Sequence, residues 1–476
     1  MLDTRRENDR IVGTFTFSLS LTLIKFIGSL IAALSVTFIP AYTGMSDAAQ
    51  WTLFILIFGG LLWVTEAIPA FAVSLLIIAL EIFILGKPGG VFAQNANDWK
   101  VFLSPWSSPL IFLFFAGFIM AMAASKTKLD FWLAKRVIYY VGGKPAHLLS
   151  GLMAITFVLS MFISNTATAA MMLTVLFPIM KTMREDNRFR VAILVGVTVA
   201  ANIGGMGTII GTPPNAIAVG ALGNNAPSFL GWMYYALPPA LLLAVMLRWI
   251  LLKLYPSNEA VIDLARLSEV GDENDTASNV PHWKKTVVIG VFMVTVLMWL
   301  TGPLHGIPTT VISLLPVVIF TVVGIIDVED IRSLSWDVLL LIIGGLSLGL
   351  AVSKTGLATW VAHSFDIPAT ALLIALLFAY ICVAISNFMS NTAATNILVP
   401  IVIAVAMGAS GTGLGSMAVI AVALSASCAM ALPVSTPPNA LVFASGKIKA
   451  SDFIKTGLIA GLVGPLVIIG WIWLIH

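Results

Sequence analysis

The sequence predicts an all-α polytopic membrane protein with about eleven transmembrane helices plus two re-entrant hairpins, arranged as an inverted repeat. Three observations carry that expectation. The first is composition: of 476 residues, 59% are hydrophobic and 10% charged, whereas a soluble domain carries about 25% charged residues. The second is repetition. Ser125-Lys126-Thr127 returns as Ser353-Lys354-Thr355, and Ser164-Asn165-Thr166 as Ser390-Asn391-Thr392. Gly211-Thr212-Pro213-Pro214-Asn215 returns as Ser435-Thr436-Pro437-Pro438-Asn439, each motif about 225 residues from its copy. The third is charge placement. With the N-terminus inside, only Lys87, Lys100 and Lys354 of the 25 basic residues fall outside, a strong positive-inside bias.

Residues 1–47 hold the first span. Arg5, Arg6 and Arg10 precede a long apolar run with no cleavage signature, so the run reads as an uncleaved span with a cytoplasmic N-terminus. Residues 48–255 form the first inverted repeat. Its first two scaffold spans meet at the polar break Thr65-Glu66-Ala67-Ile68-Pro69, where Glu66 reads more simply as pinning the turn before the proline than as a proton or ion ligand. Another span covers Pro109 to Ala124. Between Leu129 and Tyr140, Lys135 and Arg136 stand among aromatic and aliphatic residues, the pattern of an amphipathic helix at the interface.

Residues 145–183 are basic on both flanks, so both ends belong on one side. Two full spans need about 40 residues, and only about 28 apolar ones are present. A hairpin with Ser164-Asn165-Thr166 at its tip satisfies both constraints. Residues 190–222 form a broken helix, interrupted at Gly204-Gly205-Met206-Gly207 and by the proline pair, which removes amide donors and clashes with the preceding turn. A further span ends near Lys253. The acidic stretch 256–282 (Glu259, Asp263, Glu269, Asp272, Glu273, Asp275) reads as an exposed cytoplasmic connector. Residues 283–476 form the second inverted repeat. Spans start near Trp283, Ile307 and Trp336, followed by hairpin 368–408, broken helix 416–445 and a last span. The second hairpin has almost no basic flank and is expected to open outward, so that the two tips meet near the midplane.

The tips set the chemistry. No Asp, Glu, Lys or Arg occurs from Pro145 to Met180 or from Ile367 to Gly446. Small polar groups at membrane depth are costly unless partnered. An isolated Ser-Asn-Thr is most simply polar glue between helices. Two copies, each followed by a matched proline break, argue instead for one shared site. A half-helix beginning after each tip presents free N–H groups and partial positive charge, which makes an anion site without a cationic side chain. The breaks near Gly207 to Pro214 and Leu432 to Pro438 free backbone carbonyls that suit Na⁺. Other chemistries lack their residues. His147, His282, His305, His363 and His476 form no spaced cluster, and Cys382 and Cys428 lie in apolar runs. Met171, Met172 and Met206 suit packing. No nucleophile or metal cluster suggests an enzyme, no continuous polar stripe suggests a channel, and no nucleic-acid partner is expected.

The paired Ser-Asn-Thr motifs, the paired Thr-Pro-Pro-Asn breaks and Thr-Glu-Ala-Ile-Pro together resemble the divalent anion/sodium symporter family, across nearly the whole chain. The resemblance implies a homodimer in the plasma (inner) membrane, each protomer with a scaffold and a transport domain that moves as an elevator. It implies sodium-coupled import of C4-dicarboxylates such as succinate, malate or fumarate. A sodium-independent dicarboxylate exchanger and a citrate or sulfate carrier are the alternatives. It places substrate at Ser164, Asn165, Thr166, Ser390, Asn391, Thr392, Thr436 and Pro437. One Na⁺ would lie near Ser160, Ser164, Asn165 and Gly211. A second would lie near Ser386, Met389, Asn391 and Ser435, with Met389 and Ser435 offering backbone oxygens. The second motif set carries Ser435 where the first carries Gly211, a departure that the sequence leaves uninterpreted.

Overall fold

The computed structural model describes residues 21–39, 42–264, 281–364, 371–410 and 412–475. All regular structure among them is helical, as hydrocarbon demands of a chain whose backbone groups must be satisfied within each segment. Among the described residues the α-helices of eight or more residues are α1 (Leu21–Thr37), α2 (Asp47–Thr65), α3 (Ala70–Leu80), α4 (Pro109–Lys126), α5 (Leu129–Val141), α6 (Pro145–Ser160), α7 (Asn165–Thr182), α8 (Phe189–Gly204), α9 (Pro213–Leu222) and α10 (Phe229–Leu254). After the connector come α11 (His282–Leu300), α12 (Thr309–Val322), α13 (Trp336–Lys354), α14 (Leu357–Ser364), α15 (Ala371–Ser386), α16 (Asn391–Ser410), α17 (Thr412–Ala426), α18 (Pro437–Ala444) and α19 (Ala450–Leu474). Each helix from α2 to α10 thus has a counterpart nine places later.

Among the described residues, seven helical stretches are long and apolar enough to cross a membrane. They include α2, α4, α8, α10, α11, α13 and α19. With the shorter apolar helices α1, α3, α12 and α17, they supply the expected spans. Other short apolar helices are the hairpin arms α6, α15 and α16.

The two series interlock. In one layer α3 packs on α13 while α12 packs on α4. Gly344 of α13 allows that approach, because a Cβ there would lie 2.3 Å from the Ser74 side chain. Farther along the same seam α3 passes into a π-helical turn, Glu81–Gly86, where Ser347 of α13 hydrogen-bonds the buried Glu81 carboxylate. In the other layer α9 packs on α16 and α17, while α18 packs on α7 and α8. The half-helix after each break is therefore seated against the other series' hairpin.

The predicted break at Thr65-Glu66 is present: α2 ends at Thr65 and Glu66 takes a left-handed conformation with φ 49°. The connector begins differently from its charge pattern. Ile262 is buried and its N–H donates to Gly143 O at 2.8 Å. Glu259 Oε1 accepts from the Arg184 N–H and from Asn187 Nδ2, both at 2.9 Å. Residues 256–264 are thus fastened to the ends of α6–α8 instead of lying free. Glu269, Asp272, Glu273 and Asp275 lie outside the described residues.

Candidate functional site

Each hairpin tip is four residues long, because the first arm ends at a serine and the next helix needs a cap. Ser164 caps α7, its Oγ accepting from the Ala167 N–H at 3.2 Å. Ser390 does the same for α16, accepting from the Ala393 N–H at 3.2 Å. A serine oxygen there satisfies one of the free N–H groups of the first turn. Both serines are exposed, and Asn165, Asn391 and Thr392 are half-buried, while Thr166 is exposed. The tip asparagines therefore stand at the first position of a helix, where the remaining N–H groups are free.

The breaks are built by the motif asparagines. Thr212 and Thr436 are extended, with φ/ψ of -153°/145° and -140°/147°, as a residue before proline must be. This turns the chain so that the asparagine of the new half-helix reaches back to the frayed end. Asn215 Nδ2 donates to the carbonyls of Gly205 at 2.9 Å and Thr208 at 2.7 Å. Asn439 Nδ2 donates to those of Met430 at 2.9 Å and Leu432 at 3.0 Å. Both asparagines are buried, and among the described residues neither Oδ1 has a partner.

Around the first tip, Ser160 Oγ contacts Asn165 Oδ1 at 2.6 Å and Ala201 O at 2.8 Å. Glycine at 205 and 211 is required by closeness. A Cβ on Gly205 would lie 2.6 Å from Asn165 Oδ1, and one on Gly211 would lie 2.4 Å from Gly205 O. Ser160, Asn165, Gly205 and Gly211 form one tight cluster, with Ser164 turned to its cap. Around the second tip, Asn391 Oδ1 is buried with no partner among the described residues. Among the described residues, buried Ser386 has only Cys382 Sγ within reach, at 3.9 Å. Ser435 Oγ instead contacts Asn387 O and Asn387 Oδ1, both at 3.1 Å, and Asn387 Oδ1 also accepts from the Ala431 N–H at 2.9 Å. Met389 is buried and Pro437 exposed at the start of α18. Thr436 crosses to the other series, its Oγ1 accepting from Asn202 Nδ2 at 3.1 Å.

Sequence reasoning passed over Asn202 and Asn387, single amides in apolar runs without a repeat to mark them. Asn215 and Asn439 were in plain sight as motif members, but their role as carbonyl clamps needed coordinates. The unexplained exchange of Gly211 for Ser435 also resolves here. Thr208 Oγ1 donates to Met161 O, and Ser435 Oγ to Asn387 O, the equivalent carbonyl. The hydroxyl has moved three positions along the break: Thr208 and Gly211 in one copy, Leu432 and Ser435 in the other.

The tips carry no ion pair among the described residues, and those residues contain no group of His, Cys, Asp or Glu suited to a metal ion. What the site offers is helix N-termini, amides, hydroxyls and backbone carbonyls turned out of the helical ladder, among apolar spans. These features, set among apolar helices long enough to cross a membrane, are those of an integral membrane transporter. The chain belongs to the family described as "Sodium:sulfate symporter transmembrane region", whose profile matches residues 20–476.

Among relatives, a protein of Staphylococcus saprophyticus named sodium-dependent dicarboxylate transporter SdcS is 30% identical, the match covering 89% of this chain and 86% of that one. An uncharacterized transporter of Haemophilus influenzae is 32% identical over 87% of this chain and 89% of its own. The fold resembles the Alcanivorax borkumensis YdaH transporter, with TM-score 0.56, 12% identity and coverage of 87% and 98%. It also resembles Neisseria gonorrhoeae MtrF, with TM-score 0.56, 12% identity and coverage of 96% and 94%.

Proposed function

We propose that this protein imports C4-dicarboxylates such as succinate, malate and fumarate, driven by sodium. The observation that carries the reading is the orphaned Asn391 Oδ1, a buried acceptor beside a helix N-terminus. A buried oxygen without a donor is costly, and a small cation supplies what it lacks. The relatives named sodium-dependent dicarboxylate transporters support the cargo.

In this reading one Na⁺ sits among Ser160, Ser164, Asn165 and Gly211, and a second among Ser386, Met389, Asn391 and Ser435. The substrate carboxylates meet the N-termini of α7 and α16 and the side chains of Ser164, Asn165, Thr166, Ser390, Asn391 and Thr392, with Thr436 and Pro437 on the third wall. Each half-helix end contributes roughly half a charge. Two bound cations supply the rest, because two uncompensated charges at membrane depth would cost several kcal/mol or more.

The two hairpins open to opposite sides, the N-terminus is cytoplasmic, and residues 48–255 and 283–476 are the inverted repeats. The hairpins, broken helices, α10 and α19 move together as an elevator against the remaining scaffold helices, and protomers pair as a homodimer in the plasma membrane. The test is uptake of labelled succinate into proteoliposomes. Uptake should require Na⁺, rise steeply with its concentration and increase with an inside-negative potential. Uptake unchanged when choline replaces Na⁺, but dependent on internal dicarboxylate, would establish an exchanger. Competition by citrate or sulfate stronger than by malate would reassign the cargo.

A further inference from the structure

Away from the tips, the ends of α8, α10 and α19 line an open cavity of about 450 Å³. Its walls carry Arg188, Lys447, Lys449 and Lys455, with Tyr255 and Asp452 among the remaining lining residues. None of the four cations makes an ion pair among the described residues. The buried Asp452 offsets at most one of these four charges, and both its oxygens are already engaged. Oδ1 accepts from the Tyr255 hydroxyl at 2.9 Å and Oδ2 from the Lys449 N–H at 3.1 Å, capping α19. Burial first, and Asp452 second, hold the Tyr255 phenol above its ordinary range, so it remains a neutral donor to that carboxylate.

Tyr255 also organises the cations. Arg188 lies 5.7 Å and Lys455 5.9 Å from its ring centroid, while Lys447 lies over Phe177 at 5.7 Å. Basic residues collect on one side of any membrane protein. Here, however, four of them face one concavity, and α8 adds its N-terminus directly after Arg188. Depth is marked on α10. Exposed Trp249 carries Lys253 at 3.6 Å over its ring, an aromatic–basic pair of the kind found at headgroup level. Tyr255 follows two residues on.

We propose that this cavity binds a phosphate-bearing anion at headgroup depth, held by Arg188, Lys447 and Lys455. The chemistry is shared by an anionic phospholipid headgroup and a soluble polyphosphate, and two arms separate them. In the first, the full chain is reconstituted with phosphatidylglycerol or with phosphatidylcholine alone, released into neutral detergent and weighed by native mass spectrometry. In the second, labelled pyrophosphate binding is measured in neutral detergent without added lipid.

The variant is R188Q/K447Q/K455Q. Its control is K181Q/R184Q/K285Q, three basic positions that the charge pattern assigns to the same side. A phosphatidylglycerol adduct kept by wild type and control but weakened roughly a hundredfold in the variant supports the lipid source. Pyrophosphate binding lost only in the variant supports the soluble source. Equal retention in all three proteins, equal loss in variant and control, or no binding in either arm overturns the proposal. Circular dichroism and succinate uptake of the variant establish that it is folded.

Discussion

The two hairpin tips share a motif and differ in wiring. The first is closed on itself: Ser160 bridges Asn165 Oδ1 and Ala201 O, and two glycines let the break press against the asparagine. The second is open at its asparagine, whose Oδ1 has no partner among the described residues. It is braced one residue earlier, where Asn387 gathers Ser435 and the Ala431 N–H. The two copies share the geometry of cap and clamp but differ in which atoms hold it. What is kept is a helix start, an amide and a set of carbonyls clamped by a motif asparagine. The hydroxyl that ties the break to the tip is free to come from Thr208 or from Ser435.

The largest expected effect tests whether both tips are needed despite that difference. Asn391→Ala and Asn165→Ala each remove an oxygen from a site with few others. Each should lower sodium-dependent succinate uptake about a hundredfold or more while leaving expression intact. Normal transport by either variant would remove that tip from the site.

Next come the clamps. Asn215→Ala and Asn439→Ala each delete buried hydrogen bonds to the carbonyls of a break and should destabilise by about 2–4 kcal/mol. The thermal midpoint should fall, and the Na⁺ concentration for half-maximal uptake should rise in both. An effect from only one would show that the two breaks are not equivalent.

The exchange of hydroxyls sharpens the comparison. Ser435→Gly should cost about 1–2 kcal/mol in thermal unfolding, and adding Leu432→Thr should restore most of it by rebuilding the first copy's wiring in the second. No rescue would mean that the two hydroxyls are not interchangeable. Gly211→Ser is not the mirror experiment. Its Cβ would meet Gly205 O, so it should cost about 1–3 kcal/mol by overpacking. The smallest contrast is between Ser160→Ala and Ser386→Ala. The first breaks two contacts and the second only a weak one to sulfur, so stability should drop more for the first, by about 1 kcal/mol.

Much of this was legible in the sequence because it rests on backbone rules. Proline pairs end helices, serines cap them, and apolar runs between charged ends become spans. Thr65, Ser164, Pro213 and Pro437 therefore marked helix boundaries directly. Contacts across the two series were not legible, because Asn202 meeting Thr436 depends on which half-helix lies against which hairpin. Asn387 was hidden for another reason. It takes the place of Met161 in the other copy, so a search for repeated polar residues passes it by. The connector misled through its charge, because Glu259 reads as solvated until Arg184 and Asn187 are seen to donate to it.

The interlocking of the two series bears on how the chain is made. When α9 leaves the ribosome, its seat on α16 and α17 has yet to be synthesised. At about 5–20 residues per second, the wait from Leu222 to Asn391 is roughly ten to thirty seconds. Over that interval the first break sits in a membrane without the surface that will cover it. Biogenesis must therefore shelter a half-finished bundle, and its packing is completed late. Two separately expressed halves, cut within the connector, should be degraded alone and rescued together.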